Sequence, residues 1–175
     1  MHVKQLILSL FLVASCTSAH PNQAATTENL ALIAAYQQAV ESATQALNSY
    51  NGGVKGLPEL SYSMYSTRDI SKRISRHMEG TQRYTDGDSA AICNHTVATS
   101  GALVDLLNLG KTKLPLIRQA SYGAVAAKMV SHFHQEDMYL LEGIQARMNP
   151  NDAATAREAF VGIQDAYTAL LRSSA

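Results

Sequence analysis

The sequence has 175 residues, with 14 basic and 14 acidic side chains and no formal net charge. That balance excludes the nucleic-acid-binding class, whose affinity rests on clustered Lys and Arg. Charged residues make up 16 % of the chain, against a usual roughly 25 %, so the exterior is sparsely charged and suited to contact with apolar material.

Residues 1–19 follow the grammar of a secretory leader. Lys4 is the only charge, Leu6 to Val13 form an apolar core, and small residues lead to Ser18 and Ala19. The apolar run is far shorter than the ~20 residues of a membrane span. Cleavage after Ala19 predicts a secreted domain of residues 20–175 starting His20-Pro21. Val13-Ala14-Ser15-Cys16 also reads as a bacterial lipobox, with Cys16 lipidated to anchor a structural or interaction module. After cleavage at Ala19 only Cys93 remains, so no intramolecular disulfide forms and packing alone must hold the domain.

Residues 20–27 are small and polar and read as a flexible lead-in. A first helix is predicted from Glu28 to Tyr50, where Leu30, Ile33, Val40, Leu47 and Tyr50 share one face with Tyr36 at its edge. Asn51-Gly52-Gly53 stops it. Pro58 suits the first turn of a second helix reaching Glu79, with Leu60, Met64, Ile74 and Met78 on its inner stripe and Thr67 and Ser71 beside them. Thr85 and Asp88 have capping-box spacing. The third helix then runs to Asn108 and turns Ile92, Thr96, Thr99, Leu103, Leu106 and Leu107 inward, with Gly110 closing it.

Leu114-Pro115 opens a long fourth segment, bent near Gly123, whose stripe holds Ala126, Met129, Val130, Phe133, Leu140, Ile144 and Met148. Asn149-Pro150-Asn151-Asp152 breaks the chain before a last helix that buries Phe160, Ile163, Tyr167 and Leu170. No run alternates with the period of two that strands require. The fold expected is all-α, one domain, an antiparallel bundle of about five helices.

Several stretches resemble one family. "SATQALNSYNGG" (Ser42–Gly53), "TDGDSAAI" (Thr85–Ile92) and "LVDLLNLGKTKLPLI" (Leu103–Ile117) are similar to helix ends and starts in the fungal hydrophobic surface-binding protein A family, which includes cell-wall galactomannoprotein antigens. The Ala-rich long helix, the Asn-Pro break and the closing "AYTALL" extend the likeness over nearly all of residues 20–175. The resemblance implies a secreted or cell-wall protein of four to five helices. Some members adsorb to hydrophobic solids and recruit polyester-degrading esterases; others enclose a fatty acid between the helices. The chain has more Met, Tyr and His than the most Ala-rich members.

The sequence carries no Gly-x-Ser-x-Gly elbow, no His-Glu-x-x-His and no Gly-rich phosphate loop, so no catalytic residue and no cofactor is expected. His132 and His134 point about 200° apart on a helix and cannot share a metal; with Glu136 they read as a wet face. Asp137 falls inside the apolar stripe between Phe133 and Leu140, where a carboxylate needs a partner across the bundle or a place in a cavity wall.

The stripes are therefore expected to line a fatty-acyl cavity. Leu60, Met64, Ile74 and Met78 come from the second helix and Leu103 and Leu107 from the third. Met129, Phe133, Leu140 and Ile144 come from the fourth, and Phe160 and Ile163 from the last. Met at such positions accepts varied apolar shapes. Thr67 and Ser71 are the candidate polar anchors for a lipid carboxylate, unless they bond back to their own helix. Asn94-His95-Thr96 is a glycosylation sequon on the side away from Leu103, and Cys93 reads as a partly buried free thiol. The partners expected are fatty acids or other lipids, hydrophobic solid surfaces and a secreted esterase.

Overall fold

A computed structural model describes residues 21–174, with side chains described from Thr26 onward. The expected leader, its cleavage site and the Cys16 alternative lie outside the described residues. Five helices follow one another: α1 (Pro21–Ser49), α2 (Leu57–Glu79), α3 (Asp86–Gln119), α4 (Gly123–Gln145) and α5 (Pro150–Ser174), with no strand among the described residues.

Local chemistry sets most of the boundaries. Gly52 and Gly53 take φ of 96° and 77° after α1, a left-handed pair that residues with a Cβ rarely adopt. Thr85 caps α3, its hydroxyl oxygen accepting from the Asp88 backbone N–H at 3.3 Å. Asn149 does the same for α5, its side-chain oxygen accepting from the Asp152 N–H at 2.9 Å.

Two boundaries differ from the sequence reading. The expected lead-in is helical from Pro21, and Thr26 within it is buried; just inside the expected helix Asn29 is buried too, and its Nδ2 donates to Tyr84 Oη at 3.2 Å. Nor does Gly110 close α3, which continues through Pro115 to Gln119. Proline there removes one intrahelical N–H, but Leu114 and Ile117 on either side of it are buried in the core. Tertiary burial overrides the local breaker. Gly110 lies inside the helix, where a Cβ would just reach van der Waals contact with Leu170 Cδ2 at 3.4 Å.

Successive helices reverse direction. Arg68 of α2 meets Glu136 of α4, Cys93 and Arg118 of α3 meet Asp152 and Ser173 at the two ends of α5, and Lys113 of α3 reaches the Asn48 carbonyl at the end of α1. Packing runs α1 on α2, α2 on α4, α4 on α5, α5 on α3 and α3 back on α1, with a smaller contact between α3 and α4. The five helices thus form a closed ring, and the backbones of α1 and α4, or of α2 and α5, do not approach each other across it. In one half of the ring the centre is filled by Ile33, Ile74, Ile92, Leu140, Ile144 and Ile163, all buried.

The filled half should carry the stability. Ile92→Ala, at a fully buried position, is expected to cost about 2–5 kcal/mol. Val97→Ala, on the exposed side of the same helix, should stay within about 0.5 kcal/mol of the wild type. Urea unfolding of the two variants measures the contrast.

Candidate functional site: an apolar cavity beneath the first half of α4

The apolar stripe of α4 divides in two. Leu140 and Ile144, and Met148 just past the end of the helix, are buried, whereas Ala126, Met129, Val130 and Phe133 are only partly so. Beneath them the ring is not filled. A cavity of about 90 Å³ lies there, walled by Leu47 of α1, Leu60, Met64 and Thr67 of α2, Leu103, Leu106, Leu107, Leu114 and Ile117 of α3, the α4 residues just named and Leu170 of α5. Met64 of α2 and Met129 and Phe133 of α4 are half-buried and line this cavity.

Of the residues expected to line a site, Leu60, Met64, Leu103, Leu107, Met129 and Phe133 border this cavity. Ile74, Leu140, Ile144 and Ile163 lie in the other half of the ring around a void of only about 20 Å³, which Leu103 also touches. Met78 is buried and edges a shallow surface groove with Glu79 and Arg147. Phe160 is buried and borders none of these spaces. The sequence reading missed Leu114 and Ile117, having assigned them to the opening of the next helix. It also missed Arg68, whose neighbour Thr67 had been singled out.

The candidate polar anchors have other commitments. The Thr67 hydroxyl carries one proton and lies 3.1 Å from the Ser63 carbonyl of its own helix and 3.4 Å from the Ala39 carbonyl of α1. Ser71 donates to Asp137 Oδ1 at 3.4 Å.

Asp137 is the hub at the inner end of the cavity. Tyr36 of α1 donates to its Oδ1 at 2.9 Å, and Tyr167 of α5 donates to its Oδ2 at 2.5 Å. With Ser71, hydroxyls from three helices enclose one carboxylate on a fourth, and no cation takes part among the described residues. Burial pushes the Asp137 carboxyl up to about 6, against the pull of the three hydroxyls toward the ionised form. The same burial, joined by the Asp137 charge, holds Tyr36 and Tyr167 well above the ordinary phenol range.

His134 is not on a wet face. It is half-buried, its ring centroid lies 4.9 Å from that of Tyr167, and burial lowers its pKa. Glu136 does not pair with His132; it takes both Nε and Nη2 of Arg68, at 2.8 and 2.7 Å, and Lys72 Nζ at 3.5 Å. Those charge-assisted bonds hold the Glu136 carboxyl below its ordinary value. Among the described residues no group of three metal-ligating side chains converges. Cys93 is buried rather than partly so, with Sγ 3.4 Å from the Asp152 carbonyl, and burial pushes its thiol up. Asn94 is exposed.

No protein-family model matches the sequence, and comparison with curated proteins finds no match. The fold does have counterparts among solved structures. The chain is similar to AfMp4p in complex with palmitic acid, with a TM-score of 0.82 and 14% identity over 86% of this chain and 99% of that one. It is also similar to the ligand binding domain 1 of the Penicillium marneffei MP1 protein complexed with arachidonic acids, with a TM-score of 0.77 and 10% identity over 83% of this chain and 95% of that one. The ligand binding domain 2 of the same protein, in complex with arachidonic acids, matches with a TM-score of 0.79 and 14% identity, covering 91% of this chain and 98% of that one. The fold is shared.

The hub makes stability depend on pH in a defined sense. A carboxyl raised from 3.8 to about 6 by folding stabilises the protein fully at low pH, and that contribution is lost as pH rises through 6. Asp137→Asn has no such titration. Between about pH 4 and pH 7 the wild type should lose about 2 kcal/mol relative to this variant, read as the change in the gap between their urea unfolding free energies. A gap that stays constant with pH would contradict the assignment.

Proposed function

We propose that this chain is a non-catalytic lipid carrier that takes a fatty acyl chain into the cavity between α2 and α4. The observation that carries this reading is the unfilled half of the helix ring, apolar and covered by a half-buried stretch of α4 with methionines at its edge. The empty cavity, at about 90 Å³, is smaller than a sixteen-carbon chain, so uptake of a whole chain requires α2 to part from α4. Each methylene removed from water contributes ~0.8 kcal/mol, so a sixteen-carbon chain brings on the order of 10 kcal/mol before entropy and reorganisation are subtracted. No bond need be made or broken. The complexes of AfMp4p with palmitic acid and of the MP1 domains with arachidonic acids support the same reading for a shared fold.

In this reading the protein is secreted through the leader of residues 1–19 and works outside the cell or in a cell wall, with Asn94 open to a glycan. The alternative, an anchored lipoprotein, requires a diacylated Cys16 at the mature N-terminus, which mass analysis of the purified protein distinguishes from a free His20. A second activity in keeping with the hydrophobic surface-binding family is adsorption to apolar solids, there to recruit an esterase. The observation favouring it is a set of exposed apolar side chains at the cavity end of the bundle: Val54 after α1, Tyr62 and Tyr65 early in α2, and Tyr122 and Val125 at the start of α4. Adsorption through these residues should persist at saturating fatty acid.

Native mass spectrometry of the protein, delipidated with organic solvent and then offered hexadecanoic acid, should show a one-to-one complex. Ala126→Phe, which fills the cavity from a half-buried position, should lower occupancy at least about tenfold while leaving the helical circular dichroism unchanged. Failure of the wild type to take up any lipid would overturn the proposal.

A further inference from the structure

The proposed reading leaves the polar end of the lipid without a place, and the cavity itself supplies none. Its surface is almost wholly apolar. Asp137, the one carboxylate at its inner end, has its oxygens covered by Tyr36, Ser71 and Tyr167 and repels a second anion. Arg68 and Glu136 border the cavity but join each other at its rim, each about a quarter exposed, at 27% and 25%. An ionised head drawn inside would lose its hydration with no donor to replace it.

Outside the rim a donor set is waiting. The outer faces of α2 and α4 enclose a groove of about 420 Å³ whose walls include Lys72, Ser75, Arg76, Gln135 and Glu136. Glu136 borders both spaces, so the apolar cavity and the polar groove adjoin at its side chain. The cations there are not used up. Glu136 has two partners, Arg68 bound through two nitrogens and Lys72 at 3.5 Å, so either can turn away and leave the carboxylate paired. Arg76 donates Nε to the Lys72 carbonyl at 3.3 Å and makes no ion pair among the described residues.

We infer that this groove holds the anionic head of the lipid whose chain lies in the cavity, with Lys72 and Arg76 as its partners and Glu136 as the hinge-point between head and tail. The inference rests on the proposed carrier function and adds to it a selectivity: a single-chain amphiphile with an anionic head, lying tail-first in the bundle and head-out between α2 and α4. Arg68 and Lys72 share the Glu136 carboxylate when the groove is empty, and the ligand's anion takes over part of that role when it is filled.

Displacement of a fluorescent fatty acid by hexadecanoic acid and by its methyl ester, at a pH where the acid is ionised, tests this. The wild type should prefer the acid by about tenfold, the worth of one charge-assisted contact. The Lys72→Gln/Arg76→Gln double variant alters two side chains outside the core and should bind the ester unchanged, so that retained ester binding reports an intact fold. In it the preference for the acid should vanish. Acetate or inorganic phosphate at the same concentration should displace nothing, because the tail supplies the affinity. Equal binding of acid and ester by the wild type, or a preference that survives in the double variant, would overturn the head-group site while leaving the carrier function standing. Displacement by acetate or phosphate as effective as by the fatty acid would overturn it too, by showing an anion site independent of the chain. Binding of neither acid nor ester would instead remove the carrier function itself.

Discussion

A closed ring of five helices encloses more space than the side chains of its inner stripes fill uniformly, and the rest of this structure follows from how that surplus is distributed. Interiors normally pack to the density of organic crystals, so an unfilled centre must be held open by something stiff. Here the brace is a buried carboxylate. Asp137 on α4 receives hydroxyls from α1, α2 and α5. The Tyr36 contact is a direct tie between α1 and α4, whose backbones stand apart across the ring. A carboxylate in such a place costs free energy unless its oxygens are satisfied. Three hydroxyls satisfy them without adding a second charge.

The hub also separates two regimes. On one side Ile33, Ile74, Ile92, Leu140, Ile144 and Ile163 fill the centre, β-branched and leucine side chains with few alternative rotamers. On the other, α4 offers Ala126 and Met129, α2 offers Met64, and α3 offers Gly110 where a bulkier residue would meet Leu170. Small residues leave volume, and methionine adapts to whatever enters it. The stiff half maintains the ring; along the compliant half the α2–α4 seam is crossed by the Arg68 and Lys72 contacts to Glu136 and by half-buried side chains, and at the hub by the buried Ser71–Asp137 bond. A carrier needs both properties, since uptake must not unfold the protein and an empty cavity must not collapse.

The relation to the lipid complexes has the same physical basis. Identities of 10% to 14% accompany TM-scores from 0.77 to 0.82, so few individual side chains coincide while the helix ring does. What such a fold demands is a period of apolar positions and turn residues at the helix ends. Many sequences meet those demands, which is why likeness in fold is visible where matching residues are sparse.

Helix number, most helix ends and the inward stripes were legible in the sequence, because periodicity and caps are local chemistry: Gly52-Gly53, Thr85 with Asp88, and Asn149-Pro150 each act within a few residues. Asp137 stood out for the same reason, as a charge on an apolar stripe. Its partners did not, since Tyr36, Ser71 and Tyr167 lie 101, 66 and 30 residues away along the chain and meet it only once the ring closes. The passage of α3 through Pro115 was likewise undecidable locally, for it depends on the burial of Leu114 and Ile117 against other helices. The sequence by itself determined that apolar faces exist and where along the chain they fall. Only the tertiary structure decided which of those faces fill one another and which enclose a void, because that is set by the order of helices around the ring, a matter of volume and long-range contact that no local pattern encodes.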